Sequence, residues 1–195
     1  MRLLMTITIL AFLTPPCFAS SKTDLSDDKN NIKKKAAKLL ARLRKNDDYP
    51  NAGKDTLIDL NGDNKKDLLI EFYYGSGTGL KNGTMIYLFD ERKNRFVREP
   101  LMLPNPTFYF KNKTVVSYYI ALGGGSAYKF RWNSLKLDTL EKIDVDVSGW
   151  DTNLRFEIKM HNCVTGKIRT EINSMMYLPK EYNYFDYTPI IKSSY

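Results

Sequence analysis

The chain has one histidine and two cysteines among 195 residues, and these scarcities narrow its chemistry before any motif is considered. A single imidazole, His161, leaves no partner for a multi-histidine metal site and removes most Ser-His arrangements. Cys17 lies in an N-terminal segment expected to be cut off, so Cys163 remains alone and no intramolecular disulfide is available. Cys163 and His161 are too near in sequence for a catalytic pair, which is normally assembled from distant segments, so Cys163 reads as a turn or buried cysteine. Long apolar runs are also missing. Beyond the N-terminus nothing approaches the ~20 apolar residues that span a bilayer. The glycines from Gly75 to Gly83 lack the Gly-Lys-Ser/Thr ending of a Walker loop, and Leu80 stands where the dinucleotide pattern needs its third glycine. Carboxylate-only chemistry is what remains to an enzyme. Asp67, Glu71 or Asp90 could be nominated for it, but no motif supports them, and the chain reads as a binding protein instead.

The first residues carry a basic Arg2, a short apolar block, the breakers Pro15 and Pro16 and a small-residue exit at Ala19. That order predicts a signal peptide over residues 1–19, and hence an exported protein, periplasmic in a host with two membranes. Lipidation at Cys17 is the alternative, although two prolines directly before it suit a lipobox poorly. The formal charge of +8 and pI near 9.3 favour an acidic partner or surface. Nucleic acid is disfavoured, because the protein is exported and no aromatic-lined basic motif is visible. Residues 20–28 are polar and read as a flexible lead-in to a single β-rich domain, 29–195, that starts with a helix. Over 29–45, Ile32, Ala36, Leu39, Leu40 and Leu43 recur at helical spacing, with Asp27 or Asp28 placed to cap. The lysines and arginines of this amphipathic helix form either a surface for anionic envelope polymers or the solvated face of a helix packed on a sheet.

From Asp59 to Glu71 the chain reads Asp-Leu-Asn-Gly-Asp-Asn-Lys-Lys-Asp-Leu-Leu-Ile-Glu. Asp59, Asn61, Asp63 and Asp67 stand at positions one, three, five and nine, the spacing at which a tight loop aims oxygen ligands at calcium, with Lys65 adding its carbonyl. Ile70 occupies the place of the bidentate Glu of an EF-hand and Asn64 that of its glycine, so a helical EF-hand is excluded. An Asx-rich turn between strands is the competing reading. Leu68 to Tyr74 follows as an apolar strand, with Glu71 on it in a structural role.

The remainder reads as about ten short strands punctuated by turns, an all-β domain of propeller-like or strongly twisted antiparallel sheets. Hairpins are expected across Glu91–Asn94, with Asn94 left-handed, across Lys111–Lys113, and across Thr165–Gly166. A second glycine turn, Gly123–Ser126, leads into the alternating strand Tyr128–Trp132. The tyrosine-rich tail has no period and no predicted place.

The Asp59–Leu68 stretch is similar to the calcium loops of FG-GAP and integrin-like propeller blades. With the Gly75–Gly83 turn, Tyr87–Val97, the proline-rich segment after Pro100 and Ser117–Trp132 with its triple glycine, residues 57–143 resemble exported calcium-binding immunity proteins. Those proteins neutralise lysozyme-like peptidoglycan hydrolases injected through antibacterial type IV secretion systems. The resemblance implies a calcium-stabilised, propeller-like inhibitor whose exposed loop plugs a muramidase cleft. The loop it suggests is Gly123, Gly124, Gly125, Ser126, Tyr128 and Lys129, since hydroxyls and a cation on a slim backbone suit a cleft with two carboxylates. The same glycines could instead form a strained hairpin turn with Tyr128 in the core. A calcium-stabilised module for glycan or cell-surface protein, with tyrosines as stacking surfaces, is the alternative function.

Overall fold

A computed structural model describes residues 24–51, 53–73, 82–121, 123–149, 155–175, 178–182 and 191–192. The expected signal peptide and residues 75–81 of the Gly75–Gly83 turn lie outside the described residues, as do Tyr177, Tyr184, Phe185, Tyr187 and Tyr195 of the tail; Asn82 and Gly83 already belong to a strand. Among the described residues there is one α-helix, α1, spanning Asp24–Lys45. It starts five residues before its predicted beginning, so the lead-in is partly helical, and Asp27 and Asp28 lie inside the helix instead of capping it.

Strands β1 (Lys54–Ile58), β2 (Asp67–Tyr73), β3 (Asn82–Tyr87) and β6 (Leu101–Pro104) form an antiparallel four-stranded sheet in that order. Between β3 and β6 stands the small hairpin of β4 (Phe89–Asp90) and β5 (Arg95–Phe96), turned by residues 91–94 with Asn94 at φ +50°, as its sequence predicts. The four-stranded sheet is apolar on both faces because β2 is buried from Asp67 to Ile70. Leu68, Ile70 and Tyr87 pack against Ile32, Ala36, Leu39, Leu40 and Leu43 of α1. Leu69, Ile86 and Leu103 point the other way, as period-two alternation requires, and meet Phe108, Val115 and Trp132.

Those three residues belong to a larger sheet. β7 (Thr107–Tyr109), β8 (Thr114–Ala121), β9 (Gly124–Asn133), β10 (Lys136–Ser148), β11 (Arg155–Asn162) and β12 (Ile168–Asn173) form an antiparallel meander, and the short β13 (Ile191–Lys192) adds to β7 in parallel. Its far face holds Val116, Tyr118, Ile120, Ala127, Ile143, Val145 and Ile158, covered by Tyr182 and Leu178. Tyr182, fully buried, donates its hydroxyl to Glu141 Oε1 at 2.7 Å, so part of the aperiodic tail is a lid over this core. The fold is therefore mostly β, in antiparallel sheets with one helix, and no barrel closes among the described residues. The expected hairpins across 111–113 and 165–166 are present.

Candidate functional site

The Asp59–Asp67 stretch folds as a loop between β1 and β2, and its side chains are bound to its own backbone. The amides of Gly62 and Asp63 donate to Asp59 Oδ1 at 2.7 and 3.2 Å, and that of Asn64 to Oδ2 at 2.8 Å. Asp63 donates its amide to Asn61 Oδ1 and receives that of Lys65 on its own Oδ1. Gly62 and Asn64 take positive φ, +74° and +68°, conformations that glycine and asparagine tolerate. Asn61 also donates to Ser134 O at 3.1 Å and Lys113 to Gly62 O at 3.1 Å, which ties the loop to the larger sheet.

Asp67 has a different task. It is wholly buried, and its two oxygens accept the amides of Leu60 and Phe89 at 2.9 Å each, joining loop, β2 and hairpin inside the core. Burial pushes its carboxyl up to about 7; the two amides pull the other way, and the nearby Asp63 and Asp59 push it further. The oxygens of Asp59, Asn61 and Asp63 and the Lys65 carbonyl fit a hard cation in donor type and loop position. Asp67 fits such a shell less well: amide bonding is common to all these side chains, but Asp67 is wholly buried and bridges Leu60 to Phe89 inside the core. No group of three or more His, Cys, Asp or Glu side chains converges as a metal cluster among the described residues.

The second glycine segment is largely strand, a correction to its reading as a turn. Only Gly123 is outside the ladder; Gly124, Gly125 and Ser126 open β9 and pair with Ala121, Ile120 and Tyr119 on one side and Asp146, Val145 and Asp144 on the other. The glycines answer a packing demand. Gly124 and Gly125 have φ +106° and +151°, and a Cβ on them would lie 2.2 Å from Val145 O and 2.1 Å from Tyr119 O. Period two also divides the side chains. Ser126 and Tyr128 share a face with Val115 and Trp132, whereas Lys129 stands on the opposite face with Ala127 and Tyr118. Lys129 therefore does not join Ser126 and Tyr128 in one recognition cluster, and Tyr128 is half-buried, stacked on Phe130 at 5.6 Å.

What Ser126 joins is a group that sequence spacing did not indicate. Among the described residues, the four-stranded sheet covers one half of this face and leaves the half carried by β9–β12 open. There Ser126 donates to Asp144 Oδ1 at 2.6 Å, Lys142 pairs with Asp144 Oδ2 at 2.8 Å, and His161 Nε2 stands 3.5 Å from that oxygen without a hydrogen bond. Burial raises the Asp144 carboxyl, but the bonds from Lys142 and Ser126 overcome this and hold it below the ordinary carboxylate range. The order is serine, carboxylate, histidine. No imidazole touches the hydroxyl to take its proton, so this is not the arrangement of a serine nucleophile. Exposed Tyr119, Ile168 and Ile172 surround the group on the same face. Sequence reading missed Asp144, Lys142 and Tyr119 because only strand register brings them beside Ser126; the alternation of Asp144, Val145 and Asp146 was the available signal.

The other nominated groups are dispersed. Asp90 is held by Lys93 at 3.2 Å, and Glu71 faces Lys54 across the β1–β2 pair. Glu71 follows Asp67 by four residues along one strand, about 13 Å of backbone, longer than the ~5–9.5 Å that separates glycosidase carboxyl pairs. Cys163 is exposed in the β11–β12 turn, its Sγ 3.8 Å from His161 O. Searches of protein-family models, curated proteins and solved structures return no match to this chain.

Proposed function

We propose that this chain is an exported binding protein that blocks a lysozyme-like peptidoglycan hydrolase, docking through the open face of β9–β12. The observation that carries the reading is that uncovered face, with Tyr119, Ile168 and Ile172 exposed around the Ser126–Asp144–Lys142 group. A soluble domain normally covers such a surface, and exposed aromatic and aliphatic anchors around hydrogen-bonded polar groups are the composition of a protein interface. The choice of target rests on the resemblance of residues 57–143 to immunity proteins. Contact is made by the sheet surface and the Gly123 tip, with Tyr119 and Tyr128 as anchors, in place of a plug that also uses Lys129. The four-stranded sheet with its Asx-rich loop is the blade-like unit of this protein. Asp59, Asn61, Asp63 and the Lys65 carbonyl would hold calcium there, with Asp67 locking the loop to the core.

The test is an inhibition assay of the full chain against lysozyme-like peptidoglycan hydrolases. Substitution Tyr119→Ala is expected to weaken inhibition about tenfold or more, the cost of one interface anchor, with an unchanged melting temperature. Absence of inhibition by the parent protein, together with binding to isolated peptidoglycan, would replace this reading by the glycan-binding one.

A further inference from the structure

A groove of about 760 Å³ lies between α1 and the β4–β5 hairpin, lined by Lys35, Lys38, Leu39, Arg42 and residues 94–98. It shares no residue with the open face of the larger sheet. Lys35, Lys38 and Arg42 follow one another by three and four residues, so they form one stripe of α1 about 10 Å long. Arg95 and Arg98 face them from the hairpin side, and no acidic residue is among the described side chains that line it. The hairpin's own acids are engaged elsewhere: Asp90 binds Lys93 and Glu91 binds Lys65 at 2.9 Å. Lys35 is positioned by a hydrogen bond to Asn94 Oδ1 and by the Phe89 ring, 5.4 Å from its Nζ. Among the described residues, Lys38, Arg42, Arg95 and Arg98 form no ion pair. The floor is apolar, made by buried Leu39 and Phe96 with half-buried Val97.

We infer that this groove is a binding site for a phosphorylated organic ligand. Five like charges around one cleft repel one another, and nothing in the packing of α1 requires them, since the helix is held by its apolar stripe. The volume falls in the ~300–1,000 Å³ range of small-molecule sites. A ligand of that size neutralises five cations only if its charge density is high. Phosphate groups bring about −1.5 to −2 each, whereas a carboxylate brings one, and arginine forks match phosphate oxygens two at a time. The apolar floor accounts for the carbon body. The ligand is a free phosphorylated compound or the phosphate-bearing headgroup of an envelope lipid, and the two share this chemistry.

The experiment titrates the full exported chain, in calcium-free buffer at fixed ionic strength, with inorganic pyrophosphate, with citrate and with phosphatidylglycerol vesicles. Saturable one-to-one binding of pyrophosphate or groove-dependent binding of the vesicles is expected, with citrate weaker. Arg42→Gln with Arg98→Gln should weaken it about tenfold or more, while Lys136→Gln with Arg155→Gln, the same charge change on exposed residues outside the groove, should leave it within about twofold. Should the first pair lower the melting temperature, Arg98→Gln alone replaces it. Pyrophosphate binding without vesicle binding assigns the free compound; the reverse assigns the lipid headgroup. The inference is overturned if neither probe binds saturably, if citrate binds as tightly, or if both double variants weaken binding equally.

Discussion

Asp67 and Asp144 are both carboxylates on strands, and their surroundings give them opposite behaviour. Asp67 satisfies two buried amides, so Asp67→Ala leaves both without partners. At about 1–3 kcal/mol for each unsatisfied group, chemical denaturation should show a loss of ~2–5 kcal/mol; a loss below ~1 kcal/mol would show that water or the chain resatisfies those amides. Asp144 is stabilised as the anion by Lys142 and Ser126, which outweigh its partial burial. Its folded pKa is therefore below its unfolded one. Its contribution is present in full above the unfolded value of about 4 and is lost as pH falls through the folded one. Denaturation across pH 2–7 should show the deficit of Asp144→Asn shrinking below pH ~4; a deficit constant across that range would contradict the assigned partners. Asp67 was visible in the sequence as a member of a regular oxygen spacing. Its burial was not, because spacing along the chain does not say which way the first residue of a strand turns.

At the level of elements, the glycine segment separates two readings of the same four letters. Gly124→Ala and Gly125→Ala would force a methyl into the carbonyls of Val145 and Tyr119, at positive φ in both cases. Each should destabilise the protein by ~3 kcal/mol or more, from backbone strain added to overpacking. Gly123→Ala meets nothing within 4 Å and should fall within about 0.5 kcal/mol of the parent. Thermal melts of the three variants decide whether the glycines serve the sheet or the tip. The helix was legible from the spacing of Ile32, Ala36, Leu39, Leu40 and Leu43, all of which are buried. Its beginning was not, since the polar residues from Asp24 to Lys29 carry no apolar period. Leu43→Ala should cost ~2–5 kcal/mol as a cavity between α1 and the four-stranded sheet, read as a lowered melting temperature.

For the molecule as a whole, the two glycine- and Asx-rich segments are bound into a layered arrangement: helix on four-stranded sheet, then sheet on one half of a larger sheet. Calcium held by the Asp59–Lys65 loop should stabilise only the folded chain. At a hundredfold excess over Kd this amounts to about 2.7 kcal/mol, several degrees in Tm, and Asp63→Ala should abolish the effect; equal melting temperatures with calcium and with chelator would remove calcium from the account. The sequence by itself determined most of the elements, because helix and strand periods, left-handed asparagines and turn residues are local properties of the chain; the start of α1 and the strand at Gly124–Ser126 escaped it. It also determined the oxygen spacing of the Asp59–Asp67 loop. Only the tertiary structure decided what those elements present: that Asp67 turns into the core, that Lys129 parts from Ser126 and Tyr128, that Asp144 and Lys142 gather beside Ser126, and that five cations from α1 and a hairpin share one groove. Those outcomes depend on strand register and layer packing, which join residues far apart in the chain, and a shift of one residue in a strand's register would send that strand's side chains to the other face.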